Sequence, residues 1–226
     1  MIRRGLVIAA VLVTVLTIAP MDTPAATMWT DWESATNGGP GSASGTLNGV
    51  SVSYSGQVIG SVLNGVSTSW LPVGSFIGGT VTTSPDVVGD EIQLNGNFTG
   101  TNTITFGAPV ANPLFAIWSL GSPSTAASFD FNATPTLQAG GPNSQFGGSS
   151  ITVLGNVVNG NEGNGVVQFS GTFNSISWTN TFESYYVFTV GANDPLGPPT
   201  AVPEPATLIL LGSGLAGVAW RLRKQR

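Results

Sequence analysis

Three carboxylates stand within six residues of one another, Asp86, Asp90 and Glu91, and an oxygen-rich cluster of that kind suits Ca²⁺. Their spacing matches neither an EF-hand nor a glycine-rich nonapeptide repeat, so a solvated acidic loop is the simpler reading. Asp31 with Glu33, and Asp130, offer thinner versions of the same chemistry. Two carboxylates facing across a cleft about 5 to 9.5 Å apart would serve a glycosidase, yet no local motif marks such a pair. Trp29, Trp32, Tyr185 and Tyr186 could stack on sugar rings, though packing in a sandwich core or on a strand face is the simpler reading of each.

The rest of the catalytic repertoire is missing. The 226-residue chain has no Cys and no His, and its six basic residues all lie at the extremities: Arg3 and Arg4, then Arg221, Arg223, Lys224 and Arg226. From Gly5 to Trp220 there is no positive side chain, while nine of the eleven acids fall in that stretch outside the two ends. Imidazole bases, Schiff-base amines, thiolates and the familiar Ser triads are therefore unavailable to the body. Nucleic acid is excluded as a partner, because phosphate affinity comes mainly from Lys and Arg. With no cation to pair with, a buried carboxylate must be hydrogen-bonded, protonated or metal-bound, and most of the nine should face water. No disulfide can staple the fold, which must stand on its core alone.

The two ends carry the clearest signals. Met1-Ile2-Arg3-Arg4 precedes an uncharged apolar run from Gly5 to Ala19 and the small residues Thr23-Pro24-Ala25-Ala26, the pattern of a cleavable signal peptide over 1–26. At the other end a Pro- and Gly-rich linker, 194–201, leads to Val202-Pro203-Glu204-Pro205, an uncharged segment from Ala206 to Trp220 and a basic tail, 221–226. As a helix, residues 206–220 would reach roughly 22 Å, extended by Leu222 and snorkelling arginines toward the roughly 30 Å of a bilayer core. Arg221, Arg223, Lys224 and Arg226 would hold the tail in the cytoplasm by the positive-inside rule, leaving the body outside.

That C-terminal combination, Val202-Pro203-Glu204-Pro205, then an apolar segment, then a basic cluster, resembles the PEP-CTERM sorting signal of Gram-negative bacteria and covers 202–226. The resemblance implies an exported substrate of an exosortase-type processing enzyme, held transiently in the inner membrane with its body in the periplasm and then passed to the cell surface or extracellular matrix. It implies that Pro203, Glu204 and Pro205 are the sorting residues, recognised rather than catalytic. It also implies an association with exopolysaccharide and biofilm. The ectodomain is then expected to be structural or adhesive and not an enzyme. A carbohydrate-binding module, with Ca²⁺ or aromatic stacking, is the alternative, and a carboxylate-only glycoside hydrolase the third.

The body, 27–193, must position whatever chemistry it has with β-structure. Asn-Gly pairs, the strongest short hairpin signal, start at Asn37, Asn48, Asn64, Asn95, Asn159 and Asn164. Between turns lie runs rich in Val, Ile, Thr and aromatics: Val50–Tyr54, Ile92–Phe98, Asn102–Phe106, Phe115–Ser119, Ser128–Asn132, Ser150–Leu154, Val166–Phe173 and Tyr186–Val190. About ten to twelve strands at such spacing predict an all-β fold, an antiparallel β-sandwich of jelly-roll-like form, with a closed barrel as runner-up. Val166–Phe173 alternates as a half-buried strand. The octet Leu47–Tyr54 recurs as Leu63–Trp70, suggesting two similar strand-entry turns, and the stretches Asn37–Gly49 and Gly155–Gly165 read as surface loops. The segment Ile176–Gly191 is similar to the last strands of other ectodomains upstream of PEP-CTERM tails, which supports the fold but implies no activity.

Overall fold

The computed structural model describes residues 25–194. Residues 1–24 of the leader, residues 195–201 of the linker, Pro203, Glu204 and Pro205, the apolar segment 206–220 and the basic residues Arg221, Arg223, Lys224 and Arg226 lie outside the described residues. No helix among the described residues is long and apolar enough to cross a membrane.

Sixteen strands make two sheets. They are β1 (Met28–Trp29), β2 (Asp31–Thr36), β3 (Gly38–Leu47), β4 (Val50–Val58), β5 (Gly60–Val62), β6 (Glu91–Leu94), β7 (Asn102–Ala111) and β8 (Leu114–Leu120). The second half adds β9 (Ala127–Phe131), β10 (Pro135–Gly140), β11 (Ser149–Ser150), β12 (Thr152–Leu154), β13 (Val157–Gly160), β14 (Gly163–Phe169), β15 (Thr172–Asn180) and β16 (Tyr186–Ala192). One sheet runs β10-β14-β8-β16-β6-β5, with β1 beside β16 and β11 beside β14; the other runs β12-β13-β9-β15-β7-β4-β3-β2. Pairing is antiparallel apart from the short β11–β14 contact. The two faces meet as a sandwich, so the barrel alternative is not what forms.

The central core is built by alternation. Val50, Val52 and Tyr54 of β4, Ile104 and Phe106 of β7 and Ile176 and Trp178 of β15 point inward from one sheet. Phe115 and Ile117 of β8, Val167 and Phe169 of β14 and Tyr186, Phe188 and Val190 of β16 meet them from the other. Phe115 sits at the centre, stacked on Phe188 at 5.1 Å and edge-on to Trp178 at 5.0 Å. Aromatic pairs at these distances add to the energy of area burial alone.

The outer sides of the two sheets differ. The β4 sheet exposes Ser51, Ser53 and Ser55 to water and is here called the open sheet. The β8 sheet carries a second apolar layer on its back, where Trp70, Phe76 and Val81 pack on Leu114, Ala116, Trp118, Ala139, Val166 and Val187. The cover comes from the irregular segment between β5 and β6, which includes one 3-10 turn, Val73–Phe76. This is the covered sheet, and its strands β8 and β16 are buried at every position.

Several expectations need correction. Asn37–Gly49 is not a loop, because Gly38–Leu47 forms β3, paired on both edges with β2 and β4. Its glycines, serines and alanines are small enough to lie between two strands where larger side chains would have signalled one. Gly155–Gly165 likewise holds β13 and the start of β14. Val166–Phe173 is not one half-buried strand: it breaks at Ser170-Gly171, where the chain crosses from the covered to the open sheet. Val166 and Val167 are both buried because the covered sheet has apolar layers on both sides. The crossing is clipped to the neighbouring one at Asn112, whose N–H donates to the Gly171 carbonyl at 2.6 Å while its Oδ1 accepts the Gly171 N–H at 2.9 Å.

Of the Asn-Gly pairs, Asn48-Gly49 makes the expected tight turn, with φ of 47° and 83° between Leu47 and its partner Val50. Asn159-Gly160 and Asn164-Gly165 instead lie within strands. Only the first copy of the octet is a hairpin; Leu63–Trp70 forms no strand and belongs to the cover.

The two ends of the body are joined. Met28 and Trp29 pair with Ala192 and Gly191, and the Thr27 hydroxyl donates to Asn193 Oδ1 at 2.6 Å and accepts the Thr82 N–H at 2.8 Å. Toward the other end of β16 a polar network ties the sheets together. Asn102 Oδ1 lies 2.7 Å from the Tyr54 hydroxyl and accepts the Gln57 N–H at 2.9 Å, and its Nδ2 donates to Asn180 Oδ1 at 2.8 Å. Asn180 in turn bonds the Tyr186 hydroxyl. Gly56 is required there, since a Cβ would stand 2.3 Å from Asn102 Oδ1.

Candidate functional site

The chain switches sheets at Thr30, between β1 on the covered sheet and β2 on the edge of the open one. Thr30 anchors the corner by donating both its N–H and its hydroxyl to the Val190 carbonyl, each at 2.9 Å. Trp29 projects from this corner. Its indole lies against Gly191, where a Cβ would come within 2.6 Å of the ring, and its Nε1 donates to the Thr83 carbonyl at 2.8 Å. The ring is thus held in place by a missing side chain below and a hydrogen bond at its edge.

The segment 83–90 forms the facing wall. Asp86 Oδ1 accepts the Val88 N–H at 3.1 Å in a local turn, Gly89 and Asp90 take φ of 131° and 63°, and Asp90 Oδ1 accepts the Trp32 N–H at 2.8 Å. Between the walls is a cleft of about 470 Å³ lined by Trp29, Asp31, Val73, Thr83, Ser84, Pro85, Asp86, Val87 and Asp90. Burial pushes the Asp90 carboxyl up to about 6, and the nearby Asp31 and Asp86 add to the rise while the Trp32 N–H opposes it. Asp31 and Asp86 are exposed at the rim. Chemically this is an aromatic wall beside three hydrogen-bond acceptors, without a nucleophile–base pair.

The expected trio Asp86, Asp90 and Glu91 does not converge. Glu91 follows Asp90 into β6 and points to the covered back of the sheet, where it is buried and its Oε2 accepts the Ser67 hydroxyl at 2.7 Å. Among the described residues no three acidic groups are grouped so as to hold a metal ion. Asp31 takes the third place beside Asp86 and Asp90, and nothing in the local sequence links it to them.

Of the aromatic candidates, Trp29 alone lines the cleft. Trp32 and Tyr186 are both 0% exposed and belong to the central core, so neither can stack on a ligand. Trp32 Nε1 donates to Thr189 Oγ1 at 3.1 Å, and the Tyr186 hydroxyl to the Thr181 carbonyl at 3.1 Å. Tyr185 packs edge-on against buried Trp118 at 5.7 Å on the back of the covered sheet, with its phenol pushed up to about 12 by burial and by Glu91.

Two further glutamates are exceptions among the nine acids, of which all but Glu91 and these two are exposed or half-buried. Glu162 Oε2 accepts the Ser119 hydroxyl at 2.6 Å and Glu183 Oε2 the Tyr185 N–H at 3.0 Å, and both side chains are buried. Burial, reinforced by Glu183, raises the Glu162 carboxyl above its ordinary value. Asp130 is exposed and lines a shallow recess with Trp178 and Asn132.

No curated protein and no solved structure matches the chain. The family model described as the PEP-CTERM protein-sorting motif matches residues 201–224, beginning at the last residue of the linker. The body folds as a two-sheet all-β unit, and the chain carries behind it a PEP-CTERM protein-sorting motif.

Proposed function

We propose that the protein is exported by its leader, held in the inner membrane through residues 206–220 and the basic tail, and processed by an exosortase-type enzyme for delivery to the cell surface or extracellular matrix. The sandwich serves there as a structural or adhesive element associated with exopolysaccharide, without catalysis. The match of residues 201–224 to the sorting motif carries this reading. The sandwich supports it, because among the described residues two apolar cores form between residues 28 and 192, ahead of the motif. A body without His, Lys or Cys supports a non-catalytic role.

Replacing Pro203, Glu204 and Pro205 together by alanine in the native host is expected to leave an unprocessed precursor in the membrane fraction. A product of unchanged size and location would overturn the sorting assignment. One observation favours a second reading, that the sandwich binds carbohydrate: Trp29 stands in a cleft among carboxylates, the combination of ring face and acceptors that sugar recognition uses.

A further inference from the structure

The cleft beside Trp29 is built for a ligand of one charge type. Its volume of about 470 Å³ falls within the range of small-molecule sites. Trp29 forms a wall whose orientation is fixed by Gly191 and Thr83, so a ring that stacks on it meets a preformed surface. Beside the hydroxyls of Thr83 and Ser84 the cleft is lined by three carboxylates, Asp31, Asp86 and Asp90, which carry lone pairs and, when ionised, no proton to donate. No positive side chain exists in the body to neutralise them. An anionic ligand is repelled, and a cationic one is attracted by all three carboxylates. A bare metal ion would leave the indole face unused, and the acids are not grouped to hold one.

We propose that this cleft binds an amino sugar, its ring stacked on Trp29 and its ammonium group drawn to the acidic wall that Asp31, Asp86 and Asp90 give the cleft. A cation beside an indole face gains from the ring quadrupole as well as from the acids. The hydroxyls of such a ligand supply the further donors that Thr83, Ser84 and the carboxylates can accept. The inference deepens the carbohydrate-binding reading and rests on it, but not on the sorting assignment.

The test uses the purified full-length protein in neutral detergent, titrated calorimetrically at low salt and about pH 6.5, where a sugar amine is protonated. The probes are a glucosamine disaccharide, its N-acetylated counterpart and CaCl2. The amine-bearing sugar is expected to bind about tenfold or more tightly than the neutral one, a ratio worth about 1.4 kcal/mol. Asp31→Asn with Asp86→Asn should abolish that preference, and both positions are exposed, so the fold is not at stake. Equal binding of the two sugars would overturn the amine assignment and leave carbohydrate binding standing. Binding of neither would overturn both. A preference that survives the double substitution would place the site elsewhere, Ca²⁺ competing with the sugar would make the carboxylates a metal site, and release of reducing ends would make the cleft hydrolytic; each of these overturns the proposal.

Discussion

The open and the covered sheet face each other across one core, yet they read differently. In the open sheet every second residue meets water, so Val50, Val52 and Tyr54 alternate with Ser51, Ser53 and Ser55. In the covered sheet that alternation is hidden, because Phe115 and Ile117 enter the central core while Leu114, Ala116 and Trp118 enter a second one behind it. The difference shows that a strand's polarity records what lies on its two faces and not whether it is a strand. It also explains where the buried acids are. Glu91 is caught under the cover by Ser67 and Glu162 is held by Ser119 of the covered sheet, while Glu33 and Asp130 of the open sheet stay exposed.

The strongest way to break this contrast is to truncate the back of the covered sheet. Trp118→Ala should cost about 3–5 kcal/mol in denaturant unfolding, as much as removing a large aromatic from the central core. A loss below about 1 kcal/mol would mean that the outer layer is not a core at all. Acid gives a smaller effect of telling sign. Asp90 is pushed up to about 6, and Glu91 and Glu162 are raised by burial, so the folded chain holds protons that the unfolded chain releases. Stability should therefore rise as the pH falls from about 7 through about 6, and level off near the ordinary carboxyl range of about 4. The melting temperature is expected to be a few degrees higher at about pH 4.5 than at about 7.5, and Glu91→Gln should flatten the slope. A melting temperature that falls in acid would sink the argument. Least of all should happen at Ser53→Ala on the open face, where the change is expected to stay within about 0.5 kcal/mol.

Sequence reading succeeded where one face of a strand is wet or where turn chemistry is local. The turn at Asn48-Gly49 and strand β4 behind it were legible from the pair itself and the alternation that follows, and β16 from its apolar run. It failed at β3 itself, whose Gly38–Leu47 has the composition of a loop and is a strand because β2 and β4 bond both its edges. The cleft was half legible. Asp86 and Asp90 stood out as neighbours, but Trp29 and Asp31 reach them only because the chain changes sheets at Thr30, a tertiary event without a local signature. Trp32 and Tyr186 took the core reading that each allowed, and only the packing decides it, since an aromatic residue on a strand can face either way.

The junction of Thr27 with Thr82 and Asn193 has a mechanical meaning. A pull transmitted to the body from beyond Asn193 enters along β16, which is flanked by β8 on one edge and by β6 and β1 on the other. Force along a strand's own axis loads its lateral hydrogen bonds side by side, so they must fail together and cannot be peeled one at a time. The strand that leads toward the sorting motif is thus also gripped on both edges, and a tug on the tail is resisted in shear by the middle of the covered sheet.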